Sequence, residues 1–520
     1  MYSRVFSGAV YGVREFIIAI ETDISPGLPT FSMVGFVGSE IKEASDRVRV
    51  ALRARGTTLP PSRVTVNFSP ANIPKRGVVL DLPIAIGILC CLGEIEEKSL
   101  RDVVIAGELG LDGEVRPVKG VLPLVKKAKE EGFTTCILPK ENVREGAVIR
   151  GIKVVGAGTL SDVVTYLQME EGRDEFLPPA CCDVEELFRK GQGEGRADFQ
   201  NVHGQKRARR VMEIAAAGYH NTLLIGAPGA GKSMLASCLP SILPPLTIDE
   251  AMEVSSIYSI SGLLDEQRPF ITERQLLSPH HTITPSALTG GGVIPKPGLI
   301  SFAHRGVLFM DEFPEFGAHI LNLLRQPMEE HSIRITRLGA TFVYPARFQL
   351  IAAMNPCPCG FFPDLNRCSC TQVQIAKYLK RISGPVLDRI DLCIEVPKIE
   401  YEQLQNAPKE EGSGAIRERV MRAVKRQEDR FAGTSYVFNA DMDVQAVEKY
   451  CELGVRETRL ARQIFETLDL SARGYHRLLK TARTIADLAE EDRILEEHLA
   501  EAAAYRMGEG ILRSGKEGEL

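Results

Sequence analysis

The 520-residue chain lacks an apolar run long enough to cross a bilayer. Its most apolar stretch, Val78 to Gly93, is short and carries Asp81 and Pro83, the composition of a buried strand–helix element. The opening MYSRVFSGAVYGVREF has no compact apolar block followed by a cleavage site, so the expected place of work is the cytoplasm, with no membrane partner. Charge of one sign is not in excess. Lys and Arg total 63 against 68 Asp and Glu, a net charge of -5, which excludes a globally basic nucleic-acid coat and leaves room only for a local patch. Cysteine is modest at twelve, and Cys90–Cys91 and Cys181–Cys182 are adjacent pairs, poor geometry for a disulfide framework. A reducing compartment fits. With 44% hydrophobic and 25% charged residues, disorder and collagen-like repetition are excluded, and there is no internal repeat. What remains is ordinary folded protein, long enough for three to four domains.

Composition divides the chain. Residues 1–170 mix short β-rich runs (VTVNF, VVIAGEL, TTCILPK, IKVVGAG) with helical stretches. Residues 171–198 are polar, hold Pro178 and Pro179, and read as a linker. Residues 199–400 alternate apolar strands with helices, the pattern of a covered parallel sheet. From 401 to 510 the chain reads as helical, with Ile416, Val420, Ala423 and Val424 on one face, then Leu460, Ile464 and Leu468, then Leu478, Leu479, Ala482 and Ile485. Residues 511–520 form a tail.

Leu223–Ile225 is a short apolar strand that runs into Gly226-Ala227-Pro228-Gly229-Ala230-Gly231-Lys232-Ser233 and then a helical MLASCLP. Strand, glycine-rich loop and helix in this order form the phosphate-binding G-x-x-x-x-G-K-[ST] pattern. Glycines let backbone N–H groups curl round phosphates, Lys232 reaches the β- and γ-phosphates, and Ser233 holds Mg²⁺. The ligand expected there is ATP. A second apolar strand, Val307–Met310, ends in Asp311 and Glu312, suited to Mg²⁺ coordination and water activation respectively. A third strand, Phe348–Met354, ends at Asn355, whose amide can orient the attacking water. Arg389, in GPVLDRIDL, reads either as an arginine finger for a neighbour's site or as an ion-pair partner of Asp388 or Asp391. Arg473 reads either as a sensor of the γ-phosphate or as an ordinary exposed helix arginine.

The segments GAPGAGKS, PHHTITPSALTGGG, GVLFMDEFPEF, AAMNPCPCG, RISGPVLDRIDL and LSARGYHRLLKTARTIADL resemble those of the magnesium-chelatase-like AAA+ ATPases, and more closely the ComM/YifB group of bacterial proteins. The resemblance covers nearly the whole chain. It implies an α/β AAA+ P-loop NTPase core with a C-terminal helical lid, a hexameric ring with each site shared between neighbours, and contact of Gly204 and Gln205 with the adenine side of the nucleotide. It further implies DNA, single-stranded or branched, as partner, with recombination proteins beside it, and work as a branch-migration helicase in recombination or natural transformation. Two other functions stay open: a chelatase-type ATPase subunit acting on a metalation partner, and a regulatory ring that binds protein.

Lys232 and Asp311 are 79 residues apart, more than one crossover needs. The excess, about Glu253 to Gly298, reads as an insertion in the second helix, projecting into the ring's channel; its His280 and His281 read either as metal or phosphate ligands or as hydrogen-bonding loop histidines. Ile333–Arg337, Leu338-Gly339 and Ala340–Tyr344 read as a hairpin with glycine at its turn and Arg334 and Arg337 on its first strand. Residues 103–142 resemble the C-terminal proteolytic domain of Lon, implying an α+β fold for residues 1–170. Lon-type chemistry needs a serine activated by a lysine. Val79 and Leu122 occupy those two positions, so peptidase activity is expected to be lost; Ser69 and Lys119, a displaced pair nearby, are discounted. Residues 42–76 carry eight Lys or Arg and two acids, either a phosphate-backbone patch or scattered surface charge. Finally, Cys357, Cys359, Cys368 and Cys370, within residues 355–371, form two close pairs flanked by turn residues. They read as a structural Zn²⁺ site or as free thiols, C-x-C being tighter than the usual C-x-x-C.

Overall fold

The structure, a computed structural model, describes all residues except 76, 192–196, 293–294, 338–339, 399–409 and 507–520. Two compact units result, each assembled from separate stretches of chain: Met1–Gln192 with Thr247–Thr272 and Thr336–Tyr344, and Gly193–Leu246 with Glu273–Ile335 and Pro345–Leu520.

In the first unit, β1 (Tyr2–Tyr11) and β2 (Arg14–Pro26), most buried at Ser7–Ala9 and Ile18–Ile20, pair antiparallel with Tyr11 opposite Arg14. The turn is therefore Gly12-Val13, with Gly12 at φ +69, the backbone that a two-residue hairpin turn demands. β3 (Thr30–Val34), β4 (Ser62–Ser69), β5 (Val103–Ile105), β8 (Thr135–Pro139) and β9 (Lys153–Ala157) complete a seven-stranded mixed sheet in the order β3-β4-β2-β1-β5-β8-β9; β6 (Glu108–Leu109) and β7 (Val115–Arg116) form a separate ribbon. The apolar stretch around Val78 is a helix, Asp81–Cys91, with no strand of its own. It is apolar all round and nearly wholly buried, as a core helix must be.

This unit does not stop at residue 170. Short helices Arg173–Phe176 and Val184–Gly191 occupy the presumed linker; Val184 is buried and Phe188 meets the Phe270 ring at 6.2 Å, edge to face. Helix Ile248–Ser261 belongs here too, capped by a reciprocal Thr247–Glu250 box. Glu253 lies inside that helix, which runs on to Ser261, so the extra chain begins after the helix. The fully buried Ser259 Oγ donates to Glu145 Oε1 at 2.5 Å, and Gly120 N–H donates to the Ser259 carbonyl.

In the second unit, β10 (Thr222–Ile225), β11 (Leu276–Leu277), β14 (Val307–Met310), β17 (Gln349–Met354) and β18 (Leu392–Glu395) form a five-stranded sheet, order β11-β14-β17-β10-β18, with every pair parallel. β10, β14 and β17 are buried throughout, which explains their unbroken apolar runs. β12 (Gly290–Gly291) and β13 (Lys296–Pro297) make a small ribbon; β15 (Ser332–Arg337) and β16 (Ala340–Pro345) make the expected hairpin, of which Thr336–Tyr344 belongs to the first unit. Its Leu338-Gly339 turn lies outside the described residues. Among the described residues five α-helices follow: Ser413–Phe431, Val444–Tyr450, Val455–Thr467, Ala472–Leu488 and Glu496–Ala504. Ile416, Val420, Ala423, Leu478, Ala482 and Ile485 are buried among them. The fully buried Asp487 accepts from Arg430 Nη1 (2.8 Å), Arg483 Nε (3.2 Å) and Asn439 Nδ2 (2.8 Å), tying three parts of the bundle together. The boundary at 401 and the tail at 511–520 fall outside the described residues. Among the described residues no helix is long and apolar enough to cross a membrane.

Candidate active site

Three parallel strands deliver the chemistry to one edge of the second unit's sheet. β10 ends in the glycine loop, β14 in Asp311 and Glu312, and β17 in Asn355. Gly229 and Gly231 take φ +77 and +89, a backbone in which a side chain would be strained, and helix Lys232–Ile242 starts directly after them. A cleft of about 630 Å³ opens there, lined by the loop from Pro228 to Met234, by Asp311, Glu312 and Asn355, and by Ser278, Pro279, His280 and His281.

Lys232 Nζ donates to the carbonyls of Gly226 (2.6 Å) and Ala227 (3.0 Å) and to Asn355 Oδ1 (3.1 Å). Burial lowers its pKa from the ordinary lysine value; the nearby Asp311 charge opposes that shift. Ser233 Oγ donates to Asp311 Oδ2 at 2.8 Å. A hydroxyl and a carboxylate oxygen so placed fit Mg²⁺, which takes oxygen ligands and keeps several waters; when bound, the ion would neutralise phosphate charge. Glu312 sits at φ +50, a costly backbone for a non-glycine residue of the kind that collects at functional sites. Its carboxylate is exposed, and Oε2 lies 3.3 Å from His281 Nδ1. Of the two readings of His280 and His281, their position favours the phosphate one: they line this cleft, because β11 adds to the sheet beside β14 and carries the following loop to that edge.

Gln205, at φ +52, donates from Nε2 to Ala230 O (3.3 Å) and Pro397 O (2.5 Å). Gly204 N–H donates to Glu410 Oε1 at 3.0 Å. Gln205 Oε1 and His203 Nδ1 are buried without a hydrogen-bond partner, polar capacity left over beside the glycine loop.

Arg389 and Arg473 do not join this cleft. Both line a separate one of about 470 Å³ with Glu329, Asp388, Asp391, Arg477 and Lys480. Arg389, its side chain only 9% exposed, places Nη2 at 2.5 Å from Glu329 Oε1; Arg473, exposed, reaches the same oxygen at 3.5 Å. Glu329, missed from the sequence, is thus the ion-pair partner of Arg389, in place of Asp388 or Asp391. Within one chain, the nearest acid to both arginines is this glutamate, and no nucleotide-loop residue lines their cleft.

The four cysteines converge. Sγ–Sγ separations are 3.3 Å for Cys357–Cys359, 3.8 Å for Cys357–Cys368 and 3.5 Å for Cys359–Cys368, and the four ligand atoms all lie within 4.8 Å of one another. A tetrahedron with Zn–S bonds of about 2.3 Å has edges of about 3.8 Å. The donor set therefore fits Zn²⁺, closed to substrate. Backbone N–H groups, Phe361's foremost, draw the Cys359 thiol down to about 6, while burial pushes Cys370 up to about 12.

In the first unit Val79 is half-buried against the core and Leu122 fully buried. Leu122 N–H donates to Glu145 Oε1 at 3.0 Å. Neither side chain can ionise. Among the described residues no hydrogen bond joins Ser69 to Lys119, whose stem packs on Gly262. The basic stretch is also dispersed. Lys75 is buried on the carbonyls of Phe68 and Pro70; Arg47 pairs with Asp81 (2.7 Å) and Arg55 with Glu94 (2.7 Å). Arg76 lies outside the described residues. Lys42, Arg49, Arg53 and Arg63 remain as exposed charges. The hairpin does not project freely either: Phe342 lies 4.5 Å from the Tyr11 ring and against Gly12 within the first unit. Arg334 and Arg337 stay exposed, but the following Arg347 is paired with Asp441.

A parallel sheet of this order, with a phosphate loop after β10, acids after β14 and an asparagine after β17, is the core of a AAA+ ATPase. Family profiles described as magnesium chelatase, subunit ChlI match residues 198–404, and its C-terminal part residues 410–506; a profile for subunit ChlI of Mg-chelatase matches residues 20–142. Competence protein ComM of Haemophilus influenzae is 42% identical over 511 residues, covering 96% of this chain and 97% of that one. YifB of Escherichia coli is 40% identical over 511 residues, 98% of each. Lon protease 2 of Bacillus subtilis is 30% identical over 129 residues, 24% of this chain and 22% of its own. The chain belongs to the ComM/YifB family of magnesium-chelatase-like AAA+ ATPases, with a Lon-protease-like α+β unit at its N-terminus.

Proposed function

We propose that this ATPase is the motor of a homo-oligomeric ring, a hexamer, that translocates on single-stranded or branched DNA and drives branch migration in recombination or natural transformation. The observation that carries the DNA reading is 42% identity, over nearly the full length of both chains, to a protein named for competence. The exposed Arg334 and Arg337 add weak support. The ring reading draws on the separation of Arg389 and Arg473 from their own chain's phosphate loop. A guanidinium unable to serve its own site is suited to complete a neighbour's. In that reading Lys232 binds phosphate, Ser233 and Asp311 hold Mg²⁺, Glu312 and Asn355 orient water, and Arg389 with Arg473 neutralises charge that develops on the neighbour's nucleotide. Zn²⁺ on the four cysteines belongs to the same proposal, as does a reducing cytoplasmic setting that keeps them thiolate.

The test is ATP turnover with and without forked and four-way DNA, alongside strand displacement, with Glu312→Gln as control. Stimulation by branched DNA is the expected result. A turnover rate indifferent to DNA but raised by a porphyrin-binding partner would move the assignment to a chelatase-type subunit, which the family profiles also support. Indifference to both would leave a protein-binding regulatory ring.

A further inference from the structure

The geometry points to a further role for the cysteine cluster: it is a metal-dependent brace for the phosphate loop, so that metal occupancy sets nucleotide affinity. This rests on the ATPase assignment and deepens it. Two contacts carry the inference. First, Gly360, between the two cysteine pairs, takes φ +84, and a Cβ built on it would fall 2.5 Å from Pro228 Cδ and 2.8 Å from its Cγ. The knuckle's backbone thus lies directly on the proline of the glycine loop, at a distance that only a glycine permits. Second, Asn355, which accepts from Lys232 Nζ at 3.1 Å, is separated from Cys357 by the single buried residue Pro356. The knuckle therefore bears on the loop at Pro228 and, through Asn355, on its lysine.

The knuckle has little else to hold its shape. From Pro356 to Cys370 there is no helix or strand among the described residues, only turns closed by bonds such as Gly360 N to Cys357 O (3.0 Å) and Cys368 N to Asp364 O (2.8 Å). Of its side chains only Pro356 and Cys357 are buried; Phe361 and Phe362 are half-exposed, with Arg367 lying over the Phe361 ring at 4.3 Å. So small an apolar contribution does not offset the entropy of ordering the segment. Four metal–sulfur bonds closing it at both ends do, as in small metal-folded modules.

The experiment uses the full chain. Metal is counted in protein purified under reducing conditions, and a fluorescent ADP analogue is titrated into native, chelator-stripped and Zn²⁺-reloaded protein, with circular dichroism as a fold control. Expected are one zinc per chain, about tenfold weaker binding after stripping, and recovery on reloading. Co²⁺ exchange should give the visible absorption of a tetrahedral thiolate site. Gly360→Val, which keeps all four thiols but drives a side chain into Pro228, should weaken ADP binding with metal content unchanged. Metal-free native protein, or stripped protein that keeps its fold and its ADP affinity, overturns the brace. Failure of the metal-loaded native chain to bind the analogue at all sinks the ATPase assignment instead.

Discussion

Arg389 offers the sharpest test because its structural and catalytic roles differ widely in size. In the isolated chain it pairs with Glu329 at 2.5 Å and donates to the Pro385 carbonyl. Glu329 is 48% exposed, so Arg389→Ala leaves a carboxylate that water can solvate, and the stability cost is about 1 kcal/mol or less. An arginine finger is worth about 10³-fold or more in turnover, roughly 4 kcal/mol of barrier. The variant should therefore melt almost normally, bind ATP normally and hydrolyse it at a small residue of the native rate. Mixing supplies the decisive measurement. Lys232→Ala lacks the loop lysine but keeps Arg389; Arg389→Ala lacks the finger but keeps the loop. Each is inactive alone. Where the two variants are neighbours in the right order, sites with an intact loop facing an intact arginine reappear, about a quarter of all interfaces at equal, random mixing. Native turnover by Arg389→Ala would refute the reasoning, and so would mixtures that form rings yet stay as inert as their components.

Further outcomes follow from the same geometry. Glu312→Gln should keep ATP affinity and lose at least about a hundredfold in turnover, read by nucleotide binding and phosphate release. Burial holds the Lys232 pKa below its ordinary value in the free chain, and phosphate oxygens favour the charged form. Binding should thus take up a proton at alkaline pH, and affinity should fall as pH rises through the lowered pKa, with no such slope where the lysine is already charged. Calorimetry in buffers of different ionisation enthalpy measures this. Asp487→Ala should cost about 3–5 kcal/mol in denaturant unfolding, because it strips Arg430 and the buried Arg483 of their shared carboxylate.

The convergence of the candidate site's residues was legible in the sequence because its parts are local. Gly226 to Ser233 is one contiguous loop, and Asp311, Glu312 and Asn355 each follow an apolar strand whose burial is written in its composition. The lid's buried faces were legible for the same reason: Val420 and Ala482 sit at helical spacing. What escaped depends on chain path. His281 lies next to Glu312 only because β11 joins the sheet edge, and a two-residue strand leaves no periodicity to read. Glu329 meets Arg389 across sixty residues of sequence. The basic stretch misled because counting charges ignores where they go: Lys75 is the most buried of them, and Arg47 is spent on Asp81. Residue 170 failed as a border because Phe188 is an ordinary aromatic in polar company until its Phe270 partner is known.

The helix Ile248–Ser261 has a temporal consequence. Glu145 meets Ser259 only after the ribosome has passed residue 259, by which time the glycine loop at 226–233 has already been made. The amino-terminal unit cannot finish folding first and wait; it closes around a segment delivered late, so a shortened gene ending near residue 192 should yield an unfinished, protease-sensitive product.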